Sequence, residues 1–600
     1  NTRFGEYIVI ASEDNGDGEN IFFNNNLTAS DVVPDSPTNN WCTNNSAMRA
    51  NITHSEGNLK MVGVGGNFDN TAGTFLFDVE DTDGWYWEGY VNSGGVEVRF
   101  GISKPQNLYF NQSDPTYNFA HSSDGIAYKG SGSKSTGGTD SSYGDSFTTG
   151  DVIGIAVKAG ALYFYKNGSI QNSGTAAATG LTGQYVPAVS INSTLSLSTN
   201  YGQDSTFAGA VTAGGNSDAD GLGDFKHSVP SGYKALCASN LPDVTIGPGQ
   251  SSQADDYFNT VLWSGDGASS RAITGVGHAP DFVWIKTRNQ GNEHSLFDSV
   301  RGVAKDLESN STAAEQADNQ YGYVNSFDSD GFTVVKGSNS NPALVNGSGN
   351  TFVAWNWKAG TAFSNDASAT SIGTIDSAGS VSQDAGFSIV TYTGNLSSSG
   401  TASVAHGLGV RPNMVITKSL NVSGGDDGSW TIWHDELTTD NYVLRFTTAA
   451  ESNKSGNGDM SSLFTTTTFG TNYTSGLNVT GNNYVAYVFA NVDGYLKCGS
   501  YVGNSDTNGT FVYTGFRPAW ILTKSTSSGT QWMIYDNKRE GYNVDNDALT
   551  ADDTATEKTD DDVDILSNGF KWRRSSPNFN QSTYIYLCFA EQPFKFANSR

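Results

Sequence analysis

From residue 41 onward the chain is a succession of short apolar or alternating runs broken by Gly, Asn, Ser and Pro. FLFDVED, GWYWEGYV, VEVRFGIS and DVIGIAVKAG place β-branched and aromatic side chains as half-buried strands do. TFVAWNW, NYVAYVFA and TYIYLCFA are apolar at nearly every position, the mark of strands buried on both faces. Asn167-Gly168, between ALYFYK and SIQN, predicts a two-residue hairpin turn. Helical periodicity is scarce, and VRGVAKDLESNSTAAEQA is expected to hold at most one or two short turns. The pattern predicts an all-β chain of tandem antiparallel β-sandwiches.

One layout recurs three times after residue 256. Each copy opens on an aromatic-led strand ending in Gly: FNTVLWSG, FSIVTYTG and YLKCGSYVG. Next come PDFVWIK, PNMVITK and PAWILTK, which end at Lys286, Lys418 and Lys524. A strand ending at Asp298, Asp435 or Asp536 follows, and copies one and three add Arg301 and Arg539 three residues on. The same two copies carry a later Gly-Phe pair, at Gly331-Phe332 and Gly569-Phe570. Pro280 to Phe352 and Pro412 to Tyr484 each span 72 residues, and Pro518 to Tyr584 spans 66. Chance does not keep such spacing. The expected domains are an N-terminal strand and linker (1–40), a first sandwich (41–207), a connector (208–255) and three homologous sandwiches (256–365, 366–494 and 495–600).

Composition narrows the function classes. Of 600 residues only 16% are charged, with 33 basic against 61 acidic and a net charge of −28. Such a surface repels phosphate backbones and anionic lipid, so no nucleic-acid partner is expected. No run of 18 apolar residues exists, so no membrane insertion by a helix is expected. Four widely spaced cysteines, with no CxxC, cannot scaffold a chain of this size, and Cys588 reads as a small core hydrophobe.

Gly150-Asp151-Val152-Ile153-Gly154, then Leu162-Tyr163-Phe164-Tyr165-Lys166-Asn167-Gly168, then Pro187-Ala188-Val189, give residues 41–207 a resemblance to the SPRY family. The resemblance implies a concanavalin-like sandwich that recognises partners through loops at one edge. The following repeats, with RPAWILTK and YIYLCFAEQPF, resemble tail-fibre-type virion proteins of marine bacteriophages. That resemblance implies a virion location and no particular chemistry.

Candidate chemistry is sparse. No ExDxxE strand, HExxH, GxSxG or GxxxxGK[ST] occurs, and no catalytic residue is expected. Asn216, Asp218, Asp220 and Asp224 place oxygens at relative positions 1, 3, 5 and 9 with Gly221 at 6, like the first part of an EF-hand-type calcium loop. The closing Glu at position 12 is replaced by His227. Calcium is thus the candidate ion, stiffening a joint. Trp85, Tyr86 and Trp87 sit in an alternating strand, where one face would present aromatic rings to a sugar; the alternative is that Trp85 and Trp87 fill the core and Tyr86 lies on the surface. The Lys and Asp of each repeat are expected to form a structural pair, or the Lys to reach backbone carbonyls.

These readings predict a non-enzymatic virion protein, a tail fibre or appendage contacting a host surface glycan or protein. It would be a homo-oligomer, expected as a trimer, alongside other virion proteins. A capsid decoration protein and a carbohydrate-active enzyme are the alternatives.

Overall fold

The structure is a computed structural model describing residues 12–14, 20–22, 39–48, 51–64, 68–108, 117–192, 194–425, 428–474, 476–527, 529–540 and 542–596. Most of the expected 1–40 linker lies outside the described residues; within it Ser12–Asp14 pairs antiparallel with Asn20–Phe22. The chain divides into two compact units, residues 1–243 and 244–600.

The first unit is a sandwich of two antiparallel sheets. One runs in the order Thr139–Ser142, Ser133–Thr136, Gly125–Lys129, Arg99–Ser103, Gln184–Asn192, Phe68–Ala72. The other runs Ser169–Ile170, Ala161–Lys166, Val152–Lys158, Gly84–Ser93, Ser196–Asn200, Lys60–Gly63, Ile52–Ser55. The predicted turn forms: Asn167 and Gly168 both have positive φ, 47° and 80°, as a type I′ hairpin requires. Asn167 also explains why the GDV and KNG motifs travel together. Its side chain accepts from Val152 N at 2.9 Å and donates to Asp151 at 2.8 Å. Residues 208–243 belong to this unit and do not form the free connector expected. Tyr233–Ala235 adds to the second sheet as a parallel strand beside Gly84–Tyr86, and Trp41 bridges Cys237.

In the second unit repeats one and two each have an inner sheet and an outer sheet, and in repeat three inner and outer strands run on as one eight-stranded sheet. The inner strands Phe282–Thr287, Met414–Ser419 and Phe516–Ser525 pair with closing strands in one register, matching Lys286 to Val353, Lys418 to Val485 and Lys524 to Ile585. The three lysines are therefore equivalent, as the spacing predicts. Alternation then sends every second residue to the opposite face. Phe282, Trp284, Met414, Ile416, Trp520 and Leu522 point inward, and Val283, Ile285 and Val415 pack under the outer strands.

The inward side chains of all three repeats fill one core. Phe282 stacks on Tyr487 (centroids 4.2 Å), Phe258 on Phe589 (4.9 Å), and Phe489 meets Phe589 edge-on (6.0 Å). Each repeat thus touches both others, around a pseudo-threefold axis. The expected string of independent sandwiches is replaced by a closed ring because the inner faces are too apolar to be left exposed. The 365/366 boundary also moves: Thr361–Asn365 pairs with Ser377–Ser382 and extends the sheet of repeat two. The Gly-Phe pairs mark where outer strands cross closely. A Cβ on Gly331 (φ 138°) would lie 2.0 Å from Ile273 O, and one on Gly569 1.9 Å from Val512 O.

Candidate functional site

Trp85, Tyr86 and Trp87 are all buried, at 1%, 1% and 2% exposure. No face of their strand is free to hold a sugar. Trp85 and Trp87 pack against Phe77. Tyr86, on the opposite face, lies under residues 225–237, against Phe225 and beside Tyr233. The aromatic ligand face expected there is removed because the downstream segment folds back over it.

Glu88 fastens that cover. Its carboxylate accepts from Lys226 N and His227 N, both at 2.8 Å, from Tyr86 Oη at 3.2 Å and from Asn200 Nδ2 at 3.3 Å. Burial pushes the Glu88 carboxyl up to about 7 against these four donors. A lone acid within GWYWEGYV was the only signal of this residue in the sequence.

The 216–224 loop does not gather its oxygens. Asp218 accepts from Asp220 N, Leu222 N, Ala235 N and Asn240 Nδ2 at 2.8–3.0 Å. Asp224 accepts from Gly215 N (3.1 Å) and Ser205 N (3.3 Å), Asp220 faces Lys234 (3.4 Å), and Asn216 Oδ1 accepts from Ser228 (3.3 Å). A carboxylate ringed by four N–H donors caps a turn and offers no lone pair to a cation. The residues do not fit calcium.

The repeat lysines do not pair with the repeat aspartates. Lys286 Nζ donates to the carbonyls of Asn292 (2.9 Å), Thr287 (3.1 Å) and Thr554 (3.2 Å). Lys524 reaches Ser525 O (3.1 Å), and Lys418 reaches Gly428 O. Burial pulls each ammonium down to about 8. The reason is chain direction. The hairpin sets Phe282 opposite Asp298, so the acid stands at the Pro end of the strand and Lys286 at the other.

Among the side chains that join the repeats, two sets occupy equivalent positions. His294 Nε2 bonds Thr550 O (2.9 Å), Trp430 Nε1 bonds Glu308 O (2.8 Å), and Trp532 Nε1 bonds Arg445 O (2.7 Å). These donors are equivalent, each preceding the strand residue opposite Ile285, Thr417 or Thr523. The acceptors are equivalent too, each following Leu549, Leu307 or Leu444. His294 Nδ1 accepts from Trp284 Nε1 (2.8 Å), which fixes the neutral tautomer with its proton on Nε2. Burial and then Lys286 hold its pKa well below the usual histidine value.

The second set lies at the strand-end aspartates. Asp298 takes Arg301 Nε (2.5 Å) and, from repeat two, Tyr487 Oη (2.8 Å). Asp536 takes Arg539 Nε (2.6 Å) and, from repeat one, Trp355 Nε1 (2.9 Å). The structure corrects the expected third member. Met414 pairs with His434 where Phe282 pairs with Asp298, so His434, and not Asp435, is the equivalent residue. His434 Nε2 bonds Tyr586 O of repeat three at 3.3 Å.

A cavity of about 330 Å³ opens at the seam of repeats one and three. Phe258, Ala519 and Ala590 line it together with Thr260 and Asn537.

Comparisons with known proteins give two family matches. The domain of unknown function DUF7483 matches residues 253–593, and the SPRY domain matches residues 84–204. Among solved structures, the SPRY domain of human HERC1 is 16% identical, covering 28% of this chain and 95% of that one, with a TM-score of 0.19. Stonustoxin is 18% identical, covering 27% of each chain, with a TM-score of 0.22. The TRIM65 PSpry domain is 12% identical, covering 27% of this chain and 90% of that one, with a TM-score of 0.23. The search of curated proteins found no match.

Proposed function

This chain belongs to the DUF7483 family, and we propose that it is a non-enzymatic, adhesive structural protein of a bacteriophage virion, part of a tail fibre or similar appendage that contacts the host surface. The closure of three repeats on one core carries the reading. A ring of sheets locked by buried cross-repeat hydrogen bonds is a rigid scaffold, and a rigid scaffold presents its surface to a partner with little ordering cost. The groups best suited to chemistry, His294, the three lysines and Glu88, are buried and held in structural bonds. The net charge of −28 favours neutral glycans or proteins over anionic partners. Weak recognition gains from several copies on one appendage, which is the role of the proposed trimer.

The closed ring favours a second reading, a capsid decoration protein. Three repeats around one core span less distance than three in a row, and a body with a pseudo-threefold axis suits a threefold lattice position. Labelled antibody on intact particles separates the two. Label on tail appendages supports adhesion; label spread over the capsid overturns it. Purified protein should block adsorption of particles to host cells and release no sugar from host polysaccharide. Measured turnover would overturn the non-enzymatic reading.

A further inference from the structure

The repeats act as controls for one another, and at one seam the control fails. Thr260 pairs across the sheet with Trp355 and faces the shared core. By register its equivalents are Ile389 and Cys498, opposite Tyr487 and Leu587. Only the seam of repeats one and three places a hydroxyl there. Thr260 is 6% exposed and its Oγ1 has no hydrogen-bond partner among the described residues.

A second departure lies across the cavity. Asn537 is equivalent to Ser299 and Asp435: their backbone N–H groups bond the carbonyls of Ala519, Asp281 and Asn413 respectively. In repeat one Ser299 donates to the Asp281 side chain at 2.6 Å, and in repeat two Asn413 donates to Asp435 at 2.5 Å. In repeat three the partner position is Ala519. Asn537 Oδ1 is buried there without a hydrogen-bond partner among the described residues, beside the cavity that Ala519 lines. Two unpartnered polar atoms meet at this seam: Thr260 Oγ1 stands where the other repeats place Ile389 and Cys498, and Asn537 lacks the cross-strand side-chain partner that Ser299 Oγ and Asp435 Oδ2 have.

We propose that this seam binds one neutral, polyhydroxylated ring, a monosaccharide or the terminal sugar of a glycan. The proposal rests on the adhesive reading above and gives it a site. The volume, about 330 Å³, is many times the ~30 Å³ share of one water, and stands at the lower end of the ~300–1,000 Å³ range of ligand pockets. Phe258, Ala519 and Ala590 offer an apolar surface to the C–H face of a ring. Hydroxyls both donate and accept, matching Thr260 Oγ1 and the Asn537 amide together. At the mouth, Asp255 and Glu591 outnumber Lys538, which disfavours an anionic ligand.

The test is ligand-observed NMR and calorimetry on the full chain, with the methyl glycosides of glucose, galactose, mannose and N-acetylglucosamine as probes. At least one should bind with millimolar or tighter affinity. Thr260→Val, which keeps the shape, and Asn537→Ala should each weaken it about tenfold or more while the far-UV circular dichroism stays unchanged. Binding of none of the four, or equal binding by both variants, overturns the site. Host-cell adsorption separates the two levels. A chain that adsorbs but binds no glycoside removes the seam site and keeps adhesion. A chain that binds through Thr260 but does not adsorb keeps the site and removes adhesion.

Discussion

Repeats one and three bury an Asp–Arg pair at the end of the second inner strand, whereas repeat two builds the same corner without a charge pair. Asp298–Arg301 and Asp536–Arg539 are within 2% of complete burial, and each acid also takes a ring donor from a neighbouring repeat. Burial alone would lower the Arg301 guanidinium; Asp298, Tyr487 and Glu315 together raise it. In repeat two the corner residue is His434, the Arg position is Leu437, and the cross-repeat donor position is Leu587 of repeat three. All three members have changed together. Removing one partner of a buried pair leaves an uncompensated charge, whereas replacing the whole set by neutral and apolar groups can be nearly free. The quasi-symmetry is therefore one of shape and backbone register, with the polar contents of each corner exchangeable only as a set.

The strongest way to break this comparison is to remove one acid at a time. Asp298→Asn and Asp536→Asn should each cost about 3–5 kcal/mol, and His434→Asn less than about 2, measured by urea unfolding. Equal losses at all three corners would show that the charge pairs are not what distinguishes them.

A smaller effect contrasts the two units. In the first, Glu88 helps to fasten the cover, and its raised pKa has a definite sign. Between the ordinary carboxyl value and about 7, the folded state binds more protons than the unfolded state, so this group's stabilisation is lost as pH rises through that window. Glu88→Gln should flatten the pH dependence of first-unit stability between pH 5 and 8 by up to about 3 kcal/mol, while leaving that of the second unit unchanged. Thermal melts across that range, resolved by unit with hydrogen exchange, measure it. An unaltered slope would show that Glu88 does not titrate there.

The smallest effect tests the ring of hydrogen bonds. Trp430→Phe and Trp532→Phe each remove one N–H from a neighbouring carbonyl and should cost about 1–2 kcal/mol apiece. Similar values would sharpen the equivalence of the seams, and a silent variant would remove its seam from the ring.

The repeats were legible because strand register is written into alternation. PDFVWIK, PNMVITK and PAWILTK place the same inward positions in every copy, and the lysines fall where the spacing puts them. The SPRY sandwich was legible from its turn, GDV and KNG being tied through Asn167. What could not be read was which apolar face meets which. TFVAWNW, buried on both sides, looks the same whether its partner is a private sandwich layer or a core shared by three repeats. The same blindness misplaced Tyr86, because nothing local announces that residues 225–237 return to cover it. The 216–224 string held the spacing of a calcium loop, but spacing does not reveal that Asp218 is already surrounded by N–H groups. Residue type aligns Asp435 with Asp298 and Asp536; the register shows His434 in that place.

The shared core is the central claim, and hydrogen exchange on the full chain tests it most directly. Trp357, packed on Phe282 of its own repeat and on Trp520 of repeat three, is truncated to Ala. A single cooperative core predicts that protection falls by about the same free energy, roughly 3–5 kcal/mol, in Phe282–Thr287, Met414–Ser419 and Phe516–Ser525. Loss of protection in Phe282–Thr287 alone, with the other two strands unchanged, would contradict it.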